Sequence, residues 1–241
     1  MNDTTAIVTG GSRGIGRAIC VELARAGHRV VITCRSNREA AEETLRLVRE
    51  EGSDGEICVF DVTDGAGAAA ALRDVLGRHP HCAVLVANAG IAADGLFAMM
   101  SDENWRGVID TSLQGFFNVA QPVVRQMIRR RGGSIVVISS VSGVVGNRGQ
   151  VNYSAAKAGL IGAARALSKE VGRLGIRVNV VAPGLVDTEM IQEAPVEEIK
   201  QLIPMNRIGR PEEVARVVRF LCSDDASYVS GQVLGVNGGM C

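Results

Sequence analysis

Short runs of apolar, β-branched residues alternate along the chain with longer segments of helical periodicity, and this alternation restricts the fold more than any other feature. The predicted strands are 5–9, 29–34, 56–60, 83–87, 134–139, 177–182 and 233–236. The predicted helices are 13–27, 38–52, 67–79, a long region around 102–131, 152–175 and 211–223. Continuous apolar strands between helices indicate a parallel sheet covered on both faces. Right-handed crossovers then predict a doubly wound α/β sheet of about seven strands.

The composition is that of a soluble globular protein, with 46% hydrophobic and 22% charged residues in a chain of 241. No Pro-, Gly- or Ser-rich linker interrupts the alternation, so residues 1–241 are predicted to form a single domain. A formal net charge of zero and 3% aromatic residues argue against nucleic-acid partners. No apolar run approaches the roughly 20 residues that cross a membrane. The N-terminal segment does not resemble a signal peptide, which predicts a cytoplasmic location.

The cysteines are scattered, without a Cys-x-x-Cys pair and without a Cys/His cluster at the spacing of metal ligands. We therefore expect no metal site. Six cysteines could form three disulfides, but in a chain of this length without a secretion signal free thiols are the expectation. The residues concerned are Cys20, Cys34, Cys58, Cys82, Cys222 and Cys241.

One stretch breaks the regular alternation of strands and helices. Residues 187–209 separate the sixth strand from the last long helix and are too many for a simple connection. A lid that covers a substrate is one interpretation. An ordinary pair of surface helices is the alternative.

The segment TGGSRGIG, residues 9–16, follows the first strand and opens the first helix. Glycines let the backbone turn tightly and approach a pyrophosphate, and a helix N-terminus offers free N–H groups to it. The spacing differs from the usual G-x-G-x-x-G, and a purely structural turn is the alternative. The position between strand and helix predicts a Rossmann-type dinucleotide site formed by Gly10, Ser12, Arg13, Gly14, Ile15 and Gly16.

The charges near this loop favour NADP(H) over NAD(H). Folds of this kind usually place a carboxylate at the end of the second strand, where this chain has Arg35. Together with Arg13, its guanidinium suits a 2′-phosphate. Arginines that simply face solvent are the alternative. Asp61, followed by Val62, ends the third strand and could accept a hydrogen bond from the adenine amino group or cap the next helix.

Polar residues also follow the later strands, and in an open parallel sheet ligands gather at the carboxyl ends of the strands. The segments are ANAG (87–90), SSVSG (139–143) and YSAAK (153–157). Tyr153 and Lys157 lie one helical turn apart, so the ammonium is expected to lower the pKa of the phenol. Ser140 could then hydrogen-bond a substrate carbonyl while Tyr153 donates its proton. Taken alone, a Tyr/Lys pair at this spacing is common on helix surfaces.

Together the motifs resemble the short-chain dehydrogenase/reductase family from about residue 4 to the C-terminus. They occur in the family's order: Thr9-Gly10-x3-Gly14-x-Gly16, Asn88-Ala89-Gly90, Ser140, Tyr153-x3-Lys157 and Pro183-Gly184. The resemblance implies that Tyr153 is the general acid in reduction, that Ser140 orients the carbonyl, and that Lys157 holds the nicotinamide ribose. It also implies that Asn88 steadies the sheet beside the cofactor. The cofactor contacts implied farther along are Ala89, Gly90, Pro183, Gly184, Val186 and Thr188.

Within the family, four segments are most similar to 3-oxoacyl-(acyl-carrier-protein) reductases, including variants of aryl-polyene pathways: 146–163, 179–190, 203–215 and 236–240. This resemblance implies NADPH-dependent reduction of a carrier-bound 3-oxoacyl thioester to the 3-hydroxyacyl product, in fatty-acid or polyene biosynthesis. Another alcohol dehydrogenase of the family, acting on acyl-CoA, a sugar or a small carbonyl compound, is one alternative. A catalytically weak structural paralogue is another.

The chain departs from the family at one catalytic position. The family has an Asn in the helix after the fourth strand, which is thought to shape a helix kink and to hold a water that links the catalytic lysine to solvent. In this chain Ser112 takes that place, within IDTSLQG (109–115). Serine is shorter and offers one polar atom instead of two. We therefore expect an active enzyme with a modified proton relay.

An acidic acyl carrier protein as partner requires a basic patch near the mouth of the site. The candidates are Arg125, Arg129, Arg130, Arg131 and Arg173. Arg131 matches one of the two arginine positions that such reductases use, whereas Leu174 occupies the other. A basic helix terminus that complements its own dipole is the alternative. Small and apolar outward positions on the helices predict a homo-oligomer, and the resemblance implies a tetramer.

Overall fold

A computed structural model describes residues 4–191 and 200–241 of the chain. Seven strands form one sheet in the order β3-β2-β1-β4-β5-β6-β7, and every neighbouring pair is parallel. The strands are β1 (Thr5–Val8), β2 (Arg29–Cys34), β3 (Gly55–Val59), β4 (Cys82–Ala87), β5 (Gly133–Ile138), β6 (Ile176–Pro183) and β7 (Val233–Val236). The predicted fold class, a doubly wound Rossmann-type α/β sheet, is confirmed.

Eight α-helices of the described residues connect the strands and cover both faces of the sheet. They are α1 (Gly14–Arg25), α2 (Arg38–Glu50), α3 (Gly65–Arg78), α4 (Asp102–Ile109), α5 (Gly115–Arg130), α6 (Val141–Val145), α7 (Val151–Val171) and α8 (Pro211–Cys222). The chain leaves β1 toward β2 on one side and returns to β4 on the other. This reversal of strand order opens a crevice at the carboxyl ends of β1 and β4, where doubly wound sheets bind their ligands.

The apolar strands are buried on both faces because each face has its own helical layer. Alternate residues of β1 point to opposite layers, with Val8 packed toward α1, α2 and α8, and Ile7 toward α3, α5 and α7. Ile19 and Leu23 lie one helical turn apart on α1 and are fully buried, so they form an apolar stripe that packs against the sheet. Burial of each such side chain contributes about 1.5–3 kcal/mol, so the two layers hold the strand ends in fixed positions.

The region around 102–131, which the sequence predicts as one helical stretch, is divided by a change of helical pitch. Helix α4 passes into a π-helical turn at Asp110–Gln114 and then into α5. A π turn adds a residue to the helical repeat and often marks a functional position. The short helix α6 was not predicted either, because five residues carry too little periodicity to be read from sequence.

The predicted lid at 187–209 falls partly on residues 192–199, which lie outside the described residues. Its two ends are joined by backbone hydrogen bonds: Asp187 N–H donates to the Gly209 carbonyl at 2.9 Å, and Gly209 N–H donates to the Leu185 carbonyl at 2.9 Å. A 3₁₀ turn at Glu189–Ile191 follows the first of these contacts. A role of the segment as a lid stays a prediction.

Candidate active site

The Gly-rich loop is fixed to the end of β4 through Thr9 and Asn88. The Thr9 hydroxyl accepts hydrogen bonds from the backbone N–H groups of Asn88 and Ala89 at 2.9 and 3.0 Å. The Asn88 amide donates to the carbonyl oxygens of Thr9 and Gly10 at 2.9 and 3.1 Å. Asn88 therefore joins the two strand ends on either side of the crevice.

Two glycines of the loop are required by close backbone approach. Gly10 has a φ of +62°, a conformation that favours glycine. A Cβ atom at Gly16 would lie 2.1 Å from the carbonyl oxygen of Gly10, so no larger residue fits there without a backbone shift. The tight packing keeps the first turn of α1 against the loop.

The N-terminus of α1 is open to an anion. Its N-cap residue, Arg13, makes no side-chain cap, and no acidic residue lies in the first turn. Helices α2, α3 and α4, by contrast, are capped by the side chains of Asn37, Asp64 and Ser101. The uncapped N–H groups and the positive end of the helix dipole fit a pyrophosphate. The residues present at this end of the sheet thus fit a dinucleotide cofactor.

The back of the loop is held by α1 and α2. The carbonyl oxygen of Ser12 accepts hydrogen bonds from the Arg17 guanidinium at 2.9 Å and from the Thr44 hydroxyl at 3.0 Å. Ser12 is itself buried, and Ile15 packs against the core. These contacts hold the back of the loop against α1 and α2.

Arg35 and Arg13, the two arginines expected to contact the 2′-phosphate, have different surroundings. Arg35 is exposed at the end of β2, and its charge lowers the pKa of Asp61. Arg13 extends instead toward the segment after β6, where its guanidinium donates to Glu189 at 2.7 Å. The two guanidiniums are thus not both engaged at one place, and Arg35 is the one that follows β2.

Asp61 is used locally by its own turn. Its carboxylate accepts hydrogen bonds from the backbone N–H and the hydroxyl of Thr63, both at 2.8 Å. These bonds are the main reason why its pKa lies below the usual value. The alternative that Asp61 caps the next helix is wrong, because Asp64 caps α3.

Ser140, Tyr153 and Lys157 meet at the carboxyl end of β5. Ser140 is the N-cap of α6, and its Oγ accepts a hydrogen bond from the Ser142 N–H at 3.1 Å. The Ser140 hydroxyl lies beside the Tyr153 phenol and acts to lower its pKa. Lys157 is buried, its Nζ donates to the carbonyl oxygen of Ile138 at 2.9 Å, and it lies 5.5 Å from the centre of the Tyr153 ring.

The expectation that Lys157 lowers the pKa of Tyr153 differs from what the structure gives. Burial raises the pKa of the Tyr153 phenol, the neighbouring Ser140 hydroxyl opposes this rise, and the charge of Asp94 adds to it. Burial also lowers the pKa of Lys157, to about 8. Tyr153 is therefore protonated at neutral pH, the state that a general acid needs.

Ser112 lies on the π-helical turn, in the place where the family has Asn. The turn is present with serine, so the change of helical pitch does not depend on an amide side chain. Ser112 is buried, and its Oγ has no hydrogen-bond partner among the described residues. It lines a cavity of about 10 Å³ beside Thr9, Ala87 and Ala89, roughly the space of one water.

The segment after β6 closes the crevice from the other side. Gly184 follows Pro183, the last residue of β6, and its N–H donates to the Val236 carbonyl at 3.0 Å. Val186 is buried and pairs with Gly209, and the Thr188 hydroxyl donates to the Val186 carbonyl at 3.4 Å. A Cβ atom at Gly14 would lie 3.3 Å from the Thr188 methyl group, so this segment touches the Gly-rich loop.

Within a single subunit, the arginines expected to form a basic patch do not lie near the mouth of the site. Helix α5 and the turn after it lead into the start of β5, so Arg129, Arg130 and Arg131 lie at the amino edge of the sheet. Arg173 precedes β6 at the same edge. Tyr153 lies in the first turn of α7, which has 21 residues, and Arg173 follows its last turn. The length of the helix, about 30 Å, therefore lies between them. Arg125 lines a groove of about 500 Å³ between α3 and α5.

Exposed apolar side chains surround the mouth of the site, which the sequence reading missed. They come from the loop after β4, from α6, from the start of α7 and from the segment before α8. They are Ile91, Leu96, Phe97, Met99, Val144, Val145, Val151, Leu202 and Met205. Most of them lie in connections after strands, and apolar residues in connections are the sequence signal that points to this rim.

Three further observations bear on earlier expectations. All six cysteines are free thiols. Within residues 4–191 and 200–241, no three or more His, Cys, Asp or Glu side chains are grouped in a way that could hold a metal ion. In the same part of the chain, no helix combines the length and apolar character needed to cross a membrane.

The fold, the open helix N-terminus and the Ser/Tyr/Lys group define the class of protein, and comparison with known proteins agrees. The family model described as enoyl-(acyl carrier protein) reductase matches residues 10–241. The chain belongs to the short-chain dehydrogenase/reductase family.

Relatives resemble this chain along nearly its entire length. The chain is 49% identical to the 3-oxoacyl-(acyl-carrier-protein) reductase of Aggregatibacter actinomycetemcomitans, over 98% of this chain and 99% of the relative. It is 44% identical to the reductase of the same name from Pseudomonas aeruginosa and 42% identical to that from Escherichia coli. In both cases the match covers 98% of this chain and 96% of the relative.

Proposed function

We propose that the protein reduces the 3-oxo group of an acyl thioester carried by acyl carrier protein, with NADPH as the hydride source, in fatty-acid or related biosynthesis. The observation that carries the proposal is the meeting of the Ser140 and Tyr153 hydroxyls at the same edge of the sheet as the open N-terminus of α1. Two O–H groups at one point suit a carbonyl oxygen. The apolar rim suits an acyl chain, and the names of the relatives agree with this substrate class.

The roles of the residues follow from their positions. The nicotinamide, when bound, supplies a hydride to the carbonyl carbon. Ser140 donates a hydrogen bond to the carbonyl oxygen, and Tyr153, protonated because its pKa is raised, gives its proton to that oxygen. Lys157, which lies between Tyr153 and the Ile138 carbonyl, would hold the ribose hydroxyls. Gly90 keeps space for the ammonium, since a Cβ atom there would lie 3.2 Å from Nζ.

The proposal is tested by NADPH oxidation with a 3-oxoacyl thioester, either on carrier protein or on a pantetheine-type fragment. Tyr153→Phe is expected to lower kcat by about 10²–10⁴-fold, because the general acid is removed. The matched control is Tyr228→Phe, which changes the only other tyrosine, fully exposed and far from the crevice. A wild-type protein that reduces a 2-enoyl thioester but no 3-oxoacyl thioester would favour the activity after which the family model is described.

For the cofactor, we infer that Arg35 reads the 2′-phosphate of NADPH. It is exposed at the end of β2, where NAD-binding relatives of the fold place a carboxylate, and it carries no hydrogen-bonded acid of its own among the described residues. Arg35→Asp is expected to raise the KM for NADPH at least tenfold and to lower that for NADH. Arg38→Asp, the same change three residues later in the first turn of α2, is the control. An unchanged preference would overturn the assignment.

We infer that the arginines of the amino edge could serve a carrier protein only in a homo-oligomer, where one subunit brings them beside the crevice of another. Within one chain, about 30 Å of helix lies between Arg173 and Tyr153. Arg130 is already used by the turn before β4, because it donates to the Pro80 carbonyl at 2.6 Å. A tetramer is the assembly we propose.

Light scattering tests the assembly, and kinetics test the docking role. The double variant Arg129→Glu/Arg131→Glu is expected to raise the KM for the carrier-bound substrate and to leave the KM for the pantetheine-type substrate unchanged. Equal effects on both substrates, or a monomeric wild-type protein with full activity on the carrier-bound substrate, would rule the docking role out.

A further inference from the structure

Three segments at the mouth of the site meet at one side chain, that of Gln150. This residue is half-buried and directly precedes α7. Its amide Nε2 donates to Asp94 Oδ2 at 2.9 Å, and its Oε1 accepts from Ser142 Oγ at 2.9 Å and from Asn147 Nδ2 at 3.0 Å. Gln150 thus joins the loop after β4 to α6 and to the connection between α6 and α7.

The bridge continues to the catalytic serine. Ser142, whose hydroxyl binds Gln150, donates its backbone N–H to Ser140 Oγ at 3.1 Å. Ser142 is buried, so its hydroxyl depends on the Gln150 partner for its hydrogen bond. Gln150 is therefore connected to Ser140 by two hydrogen bonds, through Ser142, and to the loop after β4 by one.

We propose that Gln150 is a positioning residue of the reaction, which fixes the direction of the Ser140 hydroxyl by holding Asp94 and Ser142 on either side of its amide. The proposal rests on the proposed function, in which Ser140 binds the carbonyl oxygen. Gln150 touches neither reacting atom and acts through Ser142 and Ser140.

The chemistry of the bridge requires an amide. An ionised carboxylate such as Asp94 accepts hydrogen bonds only, whereas the Ser142 hydroxyl donates here. The Gln150 side chain meets both needs because it carries a donor and an acceptor. A carboxylate in its place would face Asp94 with a like charge and would lose the donated bond.

The pKa of Tyr153 reports on the bridge, because it depends on the groups that face its phenol. They are the Ser140 hydroxyl from the turn after β5, the Asp94 carboxylate from the loop after β4, and Lys157 from α7 itself. The Ser140 hydroxyl acts to lower the pKa of Tyr153, so a misdirected Ser140 leaves that pKa higher than in the wild type.

The test compares the wild type with Gln150→Ala and Gln150→Glu in the NADPH assay. We expect Gln150→Ala to lower kcat by about ten- to a hundredfold, as for a displaced catalytic group, with the KM for NADPH unchanged. Gln150→Glu is expected to lose as much at neutral pH and to recover partly at acidic pH, where a protonated carboxyl donates to Asp94 again. Gln126→Ala is the matched control, because it removes two side-chain hydrogen bonds, to the His79 and Pro80 carbonyls, at the amino edge.

A kcat of Gln150→Ala within twofold of the wild type, or an equal loss in Gln126→Ala, would overturn the positioning role while the proposed function stands. If the wild type reduces no 3-oxoacyl thioester, the proposed function fails, and the bridge is then tested without turnover. In a Tyr228→Phe background Tyr153 is the only tyrosine, so its ionisation can be followed by near-ultraviolet absorbance after a rapid pH jump. Gln150→Ala should raise the midpoint of this ionisation, and an unmoved midpoint would count against the proposal.

Discussion

The two edges of the sheet treat their polar groups in opposite ways. At the amino edge, the Arg177 guanidinium donates to the carbonyl oxygens of Leu221 and Ser223 at 2.6 and 3.0 Å, and Ser134 Oγ donates to Leu221 at 3.0 Å. At the carboxyl edge, α1 begins without a cap, and the buried Ser112 Oγ has no partner among the described residues. The amino edge is thus arranged for stability, whereas the carboxyl edge keeps groups ready for a ligand at a cost in stability.

Lys157 should give the largest effect that separates the two edges. Burial lowers its pKa from 10.5 to about 8, which corresponds to about 3 kcal/mol of lost stability at neutral pH, since each pKa unit is worth 1.36 kcal/mol. The penalty is fully present below about pH 8, where the lysine is charged in both states. Between about pH 8 and pH 10.5 the native lysine has lost its proton while the unfolded one still holds it, so stability rises with pH in this window. The penalty is therefore gone above about pH 10.5.

We therefore expect the cofactor-free Lys157→Met variant to be inactive and yet more stable to urea than the wild type at about pH 7. The difference should shrink as the pH approaches about 10. Both proteins contain the same cysteines, whose titration therefore cancels in the comparison. A variant that is less stable than the wild type at neutral pH would contradict the idea that the catalytic edge lowers stability.

Arg177 provides the second test, at the amino edge. Its two hydrogen bonds satisfy carbonyl groups at the end of α8, and bonds from a charged donor contribute about 1.5–3 kcal/mol. Arg177→Ala is expected to lower the free energy of unfolding by about that amount and to leave kcat and KM unchanged.

Arg46→Ala is the control for Arg177, since it removes exposed ion pairs to Glu43 and Glu50 on α2 and should change the unfolding midpoint little. A loss of activity in Arg177→Ala that exceeds its loss of folded protein would show that the two edges are not separate in function.

The same contrast explains how much of the molecule the sequence predicts. Strands such as β2 and the apolar stripe on α1 are set by local apolar periodicity, and the loop at Gly10 and Gly16 is set by the space its backbone needs. These features can therefore be predicted from the sequence. The direction of the Tyr153 pKa was not, because it depends on burial by segments far apart in the chain. The position of the basic patch is not evident either, because the sequence shows its charge but not the edge of the sheet at which α5 ends.

Ser112 and Ser134 form a pair of buried serines for which the expected effects have opposite signs. Ser134→Ala removes a satisfied hydroxyl at the amino edge and is expected to cost about 1 kcal/mol in the free energy of unfolding. Ser112→Ala removes a hydroxyl without a partner among the described residues, together with its desolvation penalty, and is expected to stabilise the protein by about 1 kcal/mol. Urea unfolding of both variants measures the two values.

If Ser112→Ala is destabilising instead, the cavity of about 10 Å³ holds a water that completes the hydrogen bonding of Ser112. A loss of kcat in that variant would then assign the water to the proton relay, and an unchanged kcat would leave it a purely structural one.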